Sequence, residues 1–270
     1  MMSTEHSDQP TVRIALNGAM GRMGRAVREC LEEVSGVILA GVWERSEHPD
    51  QGRVVPGTAL RLGEVLSSSD WDVVVDFSAE DGLLDLVRRF PVSGALVTGV
   101  TGVSKTTRTA LESLSARAPV FHEPNMSVGV AVLRRVVAKA CGWLDDSWDV
   151  EVLEMHHRRK VDAPSGTALS LVETIQDHRP GCGDSVMRQQ GSAGPRRPGE
   201  VGVAVLRGGD VVGEHEVIFA GAGERLRLGH QATSRAVFAA GAIRAARWVV
   251  KQGPGLYGMA DLLWNPRDPE

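Results

Sequence analysis

The sequence predicts an α/β chain in two parts: a doubly wound parallel sheet, then an α+β portion built on a mixed open sheet. Three observations predict it. Strand, turn and helix alternate regularly over residues 12–122, the rhythm of parallel strands joined by crossover helices. Glycines at 18, 21 and 24 separate the first strand from its helix. From residue 149 the rhythm gives way to alternating apolar and polar residues, as in strands with one solvated face.

The elements follow in order. Val12–Leu16 is a short apolar strand that runs into the glycine turn, and Arg25–Val34 continues as a helix. Val37–Trp43 and Asp72–Asp76 are buried strands, with Phe77-Ser78 ending the latter. A helix is expected over Asp81–Phe90, a strand over Ala95–Thr98, a helix over Lys105–Arg117 and a strand over Pro119–His122. Ser127 is a good N-cap for a long apolar helix over Val128–Leu144. Asp149–Met155 alternates and belongs to a different sheet. Residues 178–200, rich in Gly, Pro and Arg, read as a long loop. Val201–Arg207 and Val211–Phe219 flank Gly208-Gly209-Asp210 and read as a β-hairpin. Glu224–Leu228 adds a strand, Ser234–Lys251 an Ala-rich helix, and Tyr257–Leu263 returns to the first part. The expected organisation is a disordered lead over 1–10, a dinucleotide-binding (Rossmann-like) domain over 11–127 and 239–270, and a substrate-binding and oligomerisation domain over 128–238.

Composition narrows the function. A 270-residue chain that is 42% hydrophobic and 24% charged has room for two modest domains. A net charge of −4 argues against a nucleic-acid surface. Aromatic residues are too sparse for base-stacking platforms, with one Tyr, five Phe and six Trp. Cys30, Cys141 and Cys182 form no C-x-x-C pair, which suits a reducing compartment. No apolar run reaches the ~18 residues of a membrane span, and Met1–Pro10 lacks the apolar core of a signal peptide. A cytoplasmic protein with no membrane partner is expected.

The most informative stretch is Glu154-Met-His-His-Arg-Arg-Lys-Val-Asp-Ala-Pro-Ser-Gly-Thr167. His156, His157, Arg158, Arg159 and Lys160 all carry positive charge or donate protons. Ser165 then caps a helix whose first N–H groups, at Gly166 and Thr167, attract anions. A charged turn between a strand and a helix is often only solvated surface. Adjacent histidines do not make a metal pair, so no metal is expected. The pattern instead suits a small, doubly negative substrate that must be protonated. A cyclic imine with two carboxylates is such a substrate, because hydride addition to its carbon drives electrons towards nitrogen. His156, with an ordinary pKa of ~6.5, and the compact ammonium of Lys160 are the candidate donors.

Gly18-x-x-Gly21-x-x-Gly24 has the context of a pyrophosphate-binding turn, although its spacing is not the usual G-x-G-x-x-G. Glu44, about 20 residues beyond, suits the adenine-ribose hydroxyls of NADH, and Arg45 the 2′-phosphate of NADPH. Having both predicts a site that accepts either cofactor. Gly99-Val100-Thr101-Gly102 and Glu123-Pro124-Asn125-Met126-Ser127 fall at strand ends, where such sheets bind ligands.

On these motifs the chain resembles the dihydrodipicolinate reductase family of lysine and diaminopimelate biosynthesis. The most specific block runs from His156 to Leu169, and the resemblance covers residues 12–264. Supporting blocks are 18–24, Asp76-Phe77-Ser78, 124–129, Arg207-Gly208-Gly209-Asp210, Gly213-Glu214-His215 and Leu256-Tyr257-Gly258-Met259. The resemblance implies NADH- or NADPH-dependent reduction of 4-hydroxy-tetrahydrodipicolinate, a small dicarboxylate, by a homotetramer. It implies His156 as acid/base, Lys160 as proton donor, and His157, Gly166 and Thr167 as substrate-binding residues. For the cofactor it implies Gly18, Ala19, Met20, Gly21, Arg22 and Met23 at the pyrophosphate, and Glu44 and Arg45 at the adenosine. Backbone at Gly99, Val100, Thr101, Glu123, Pro124, Asn125 and Met126 would line the nicotinamide end. Arg159, Val100, Glu123 and Met126 depart from the commoner family residues and bear on cofactor affinity. Two other readings differ. A semialdehyde dehydrogenase needs a reactive thiol, and Cys30 and Cys141 fall inside expected helices. A non-catalytic NAD(H) sensor would not need two acids beside a carboxylate cradle.

Overall fold

The computed structural model describes residues 11–63, 70–187 and 194–264. The expected disordered lead over 1–10 lies outside the described residues. The chain divides into two compact units, one of residues 1–126 with 238–270, the other of residues 127–237.

The first unit is a six-stranded sheet in the order β11-β5-β4-β3-β1-β2. Its strands are β1 (Val12–Asn17), β2 (Val37–Trp43), β3 (Val73–Asp76), β4 (Ala95–Thr98), β5 (Pro119–His122) and β11 (Gly255–Tyr257). Every pairing is parallel. The crossovers are α1 (Arg22–Glu33), α2 (Glu80–Arg89) and α3 (Lys105–Ser115), and the helices α6 (Ala236–Val249) and α7 (Met259–Leu263) flank β11 in sequence. β3 and β4 are buried along their whole length, because helices cover both faces of a parallel sheet. Trp43, Trp71, Val74, Leu86, Phe90, Leu96 and Leu111 belong to one apolar cluster. Strand β1 reverses its order against β3 and β2, so a crevice opens at the carboxyl ends of these strands.

The second unit is a five-stranded mixed sheet in the order β10-β9-β6-β8-β7. Its strands are β6 (Asp149–His156), β7 (Ser185–Met187), β8 (Val201–Arg207), β9 (Gly213–Gly221) and β10 (Glu224–Ala232). Helices α4 (Val128–Trp143) and α5 (Gly166–His178) contribute Leu133, Val137, Leu171 and Ile175 to its core, against Val150, Val152, Val217 and Phe219. Ser127 and Ser165 cap these helices as expected, accepting from the N–H groups of Val130 and Ala168.

Two expectations fail here. β8 and β9 do not form a hairpin: β6 lies between them, parallel to β8 and antiparallel to β9. The segment 208–212 must therefore cross about 9.6 Å of sheet, two strand spacings, which a two-residue turn cannot do. Hydrogen bonds from Gly208 N to His156 O and from Arg158 N to Gly209 O fasten that crossing over the end of β6. The true hairpin is β9–β10. The expected loop over 178–200 also contains β7, paired in parallel with β8.

Candidate active site

One face of the second sheet changes from apolar to polar along its strands. On β6 the buried residues alternate as Val150, Val152, Glu154 and His156. Val150 lies between Phe219 and Val201, Val152 between Val217 and Val203, and Glu154 opposite His215. His156 is level with Arg207. The period of two thus carries core packing directly into a cluster of ionisable groups.

Glu154 is at the centre of that cluster and has no exposed surface. Its carboxylate accepts hydrogen bonds from His156 Nδ1, from Ser165 N at 3.0 Å, and from Arg207 Nη2 and Nη1 at 2.9 and 3.1 Å. The two guanidinium bonds make a forked, charge-assisted pair. Burial opposes the charged carboxylate, but Arg207, the Ser165 N–H and His156 together hold its pKa below the ordinary value. Burial pushes the His156 pKa down; the Glu154 charge opposes that push, while Lys160 and Arg207 add to it.

The turn after β6 is held by the same groups. Arg207 Nη2 also donates to the Asp162 carbonyl at 2.6 Å. The Asp162 carboxylate pairs with Lys160 Nζ at 2.9 Å. A chain of contacts therefore runs from Lys160 through Asp162, Arg207 and Glu154 to His156. At the start of α5, Ser165 Oγ accepts from Ala168 N and shares a 3.1 Å hydrogen bond with His215 Nε2. Gly166 faces open space, since a side chain there would meet nothing within 4 Å. Thr167 begins the helix beside it. His157, Arg158 and Arg159 occupy the turn itself, with Arg158 and Arg159 exposed.

The predicted cofactor residues lie on the first unit. A cavity of about 820 Å³ at the carboxyl ends of β1, β2 and β3 is lined by Gly18, Met20, Gly21, Glu44 and Arg45. Gly18 has φ +75°, and a Cβ there would approach the Phe77 carbonyl oxygen to 2.8 Å. Gly21 is the N-cap of α1 and offers no side-chain cap, so the helix start is open to an anion. Arg22 and Met23 lie in the first turn of α1, three residues before the expected start. Glu44 Oε1 accepts from Met20 N at 3.0 Å and so fastens the glycine turn to the end of β2. These residues fit a dinucleotide pyrophosphate and its adenosine. Ala19, Val100 and Met126 are buried, and the backbone N–H groups of Ala19 and Val100 donate to the Trp43 carbonyl and to Thr98 Oγ1. The Glu123 carboxylate is used elsewhere, accepting from Met259 N at 3.0 Å.

Sequence reasoning missed Glu154, Arg207, Asp162, Ser165 as more than a cap, and His215. Glu154, His156 and His215 place ligand atoms within 4.8 Å of one another. Both oxygens of Glu154 are already engaged by Arg207, so the cluster neutralises itself without an ion. His215 is buried, and burial first, then the neighbouring His156, push its pKa down to about 3. Cys141 is also buried, which drives its thiol pKa up to about 11 and makes it a poor nucleophile.

Comparison with known proteins bears on both units. Residues 12–126 match the family model for the N-terminus of dihydrodipicolinate reductase, and residues 129–263 match that for its C-terminus. The chain is 42% identical over 264 residues to a 4-hydroxy-tetrahydrodipicolinate reductase of Rhodopseudomonas palustris, covering 93% of this chain and 97% of the relative. A protein of the same name from Syntrophobacter fumaroxidans is 43% identical over 268 residues, covering 93% and 98%. Among solved structures, a dipicolinate-bound dihydrodipicolinate reductase from Paenisporosarcina sp. TG-14 has a TM-score of 0.73 at 20% identity, covering 94% of this chain and 100% of the other. A DAP dehydrogenase of C. glutamicum has a TM-score of 0.56 at 14% identity, covering 96% and 97%. The last two likenesses concern fold.

Proposed function

This chain belongs to the dihydrodipicolinate reductase family, and from that premise we propose that it reduces 4-hydroxy-tetrahydrodipicolinate to tetrahydrodipicolinate in lysine and diaminopimelate synthesis, with NADH or NADPH supplying the hydride when bound. The observation that carries this reading is the coupling of two proton donors, His156 and Lys160, through Asp162, Arg207 and Glu154 beside the open start of α5.

In this reading the second unit binds the substrate. Gly166 and Thr167 receive one carboxylate at the helix start, where N–H groups and dipole favour an anion. Lys160 and His157 hold the other. The 4-hydroxyl leaves as water to give the unsaturated ring; a bound NADH or NADPH would supply hydride to its C4, and His156 or Lys160 would give up the proton that completes the reduction as the electron pair moves towards the ring nitrogen. His156 suits this task because its site is partly desolvated and flanked by charge of both signs.

The first unit binds the cofactor. Residues 18–23 meet the pyrophosphate, Glu44 the adenine ribose and Arg45 a 2′-phosphate, so that both NADH and NADPH serve. Backbone at 99–101 and 123–126 lines the nicotinamide end. The second unit also carries assembly into a homotetramer, and the exposed Met187 and Leu206 on its strands are surface such an assembly would cover. Sedimentation equilibrium tests this: a monomer at assay concentration removes the tetramer. A reducing, cytoplasmic setting suits the three free thiols.

The decisive assay follows NAD(P)H absorbance with substrate made by the preceding synthase. His156→Ala and Lys160→Ala each lower turnover by on the order of 10²-fold or more. Near-wild-type rates in both variants reject the assigned roles.

A further inference from the structure

Glu154 is not an ordinary buried ion pair. A carboxylate has about four lone-pair sites, and here His156 Nδ1, Ser165 N and both terminal nitrogens of Arg207 fill them. Three separate pieces of chain meet on this one side chain: the end of β6, the start of α5 and the end of β8. Each carries part of the proposed chemistry. His156 is a proton donor, the start of α5 is the carboxylate cradle, and Arg207 grips the turn that bears Lys160 by the Asp162 carbonyl. The Glu154–His156 contact also distinguishes the two ring nitrogens. Nδ1 is committed to the carboxylate, while Nε2 faces Gly213, where an added Cβ would sit 3.1 Å away.

We propose that Glu154 is the positioning residue of this site. Its carboxylate keeps a proton on Nδ1 of His156 throughout the cycle, so that Nε2 alone exchanges a proton with the substrate. The inference rests on the reading of His156 as proton donor. As the imidazolium, His156 bears protons on both nitrogens. The Nε2–H bond breaks, its proton passes to the reduced ring, and Nε2 keeps the electron pair. Nδ1–H remains hydrogen-bonded to Glu154, which fixes the tautomer of the neutral ring. The titratable and charged groups around His156 are Glu154 on its own strand, Arg207 from β8, the neutral His215 from β9 and Lys160 from the turn. Of these only Glu154 is an anion in contact with the ring, so removing its charge lowers the His156 pKa.

The test combines one measurement on the wild-type holoenzyme with two variants. ¹⁵N NMR of histidine-labelled enzyme, with the His156 signal assigned by its loss in His156→Gln, shows the neutral ring protonated on Nδ1. Glu154→Gln lowers kcat about tenfold or more and moves the alkaline limb of the kcat/KM profile to lower pH. That limb reports loss of the donor proton. The KM for NADPH changes less than twofold, and Glu154→Asp restores the limb towards its wild-type position. A purely structural Glu154 would lower the amount of active enzyme without moving the limb. A neutral His156 protonated on Nε2, or a Glu154→Gln profile that superposes on wild type, overturns the proposal. Should Glu154→Gln fail to fold, the wild-type tautomer decides. Full activity in His156→Gln with Nδ1 protonated in the wild type would instead sink the donor assignment and leave the Glu154 geometry standing.

Discussion

At the scale of the residue, His215 shows what a buried imidazole does to stability. Its ring lies edge-on to His156, with centroids 5.1 Å apart, and Nδ1 finds no hydrogen-bond partner among the described residues. Burial and the neighbouring ring hold its folded pKa at about 3, against ~6.5 in the unfolded chain. Between those values the unfolded chain binds the proton and the folded chain does not. Stability therefore rises with pH in this window and is lost as pH falls, with a maximal slope of about 1.4 kcal/mol per pH unit from this group. Urea midpoints measured from pH 7 down to 4.5 should fall more steeply in the wild type than in His215→Asn. Equal slopes would mean that His215 is protonated in the folded protein. The residue scale is also where the sequence was least legible. His156 and Lys160 stood out because they sit in a dense charged run. Glu154 opens the same run, only two residues before His156, but the run itself gives it no role. Its partners are 11 residues away at Ser165 and 53 at Arg207, and no local spacing announces such a meeting. The strand period did contain one usable signal: i and i+2 share a face, so an acid two positions before a proposed catalytic histidine merits suspicion.

Elements were easier to read than their partners. The strands and helices of the first unit follow from apolar runs and the glycine turn, and their alternation implies a parallel doubly wound sheet but not its strand order. The supposed hairpin over 201–219 failed for a physical reason. Alternation identifies a strand and its buried face, but it does not say which neighbour lies alongside, and β6 supplies a better-matched row of Val150, Val152 and Glu154 to both flanking strands. The glycine turn was legible because it has a local steric requirement. Gly18 adopts φ +75°, and a Cβ added there would come within 2.8 Å of the Phe77 carbonyl oxygen. Phe77 follows Asp76, whose buried carboxylate accepts from Asn17 Nδ2 and Thr98 Oγ1, each at 2.8 Å. These three residues sit in register on neighbouring strands, so the floor of the turn is fixed and cannot retreat. Gly18→Ala should therefore cost on the order of 1–3 kcal/mol of stability and weaken NADPH binding at least tenfold, as read by nicotinamide fluorescence titration. Unchanged affinity would show that the turn does not approach the cofactor.

At the scale of the whole molecule, the two units have separate apolar clusters and separate sets of proposed contacts. The first unit holds the cluster around Trp71 and Leu96 and the cavity lined by Gly18 and Glu44. The second holds the cluster around Val152 and Leu171 and the Glu154 hub. A ligand stabilises the state it binds by RT ln(1 + [L]/Kd), about 2.7 kcal/mol at a hundredfold excess over Kd. That free energy slows amide exchange by up to about a hundredfold wherever opening destroys the binding site. Hydrogen exchange with each ligand alone should therefore give two different footprints. NADPH should protect residues 17–24 and 43–48. Pyridine-2,6-dicarboxylate, a planar analogue of the substrate, should protect residues 157–168 and the end of β8 at Arg207. The protected amides of the diacid footprint should include those of Ser165, Gly166 and Thr167, because the cradle binds through backbone N–H groups. A dicarboxylate footprint confined to the glycine turn would instead mean that the diacid competes for the pyrophosphate position, and the assignment of the 156–167 run as the substrate cradle would be withdrawn.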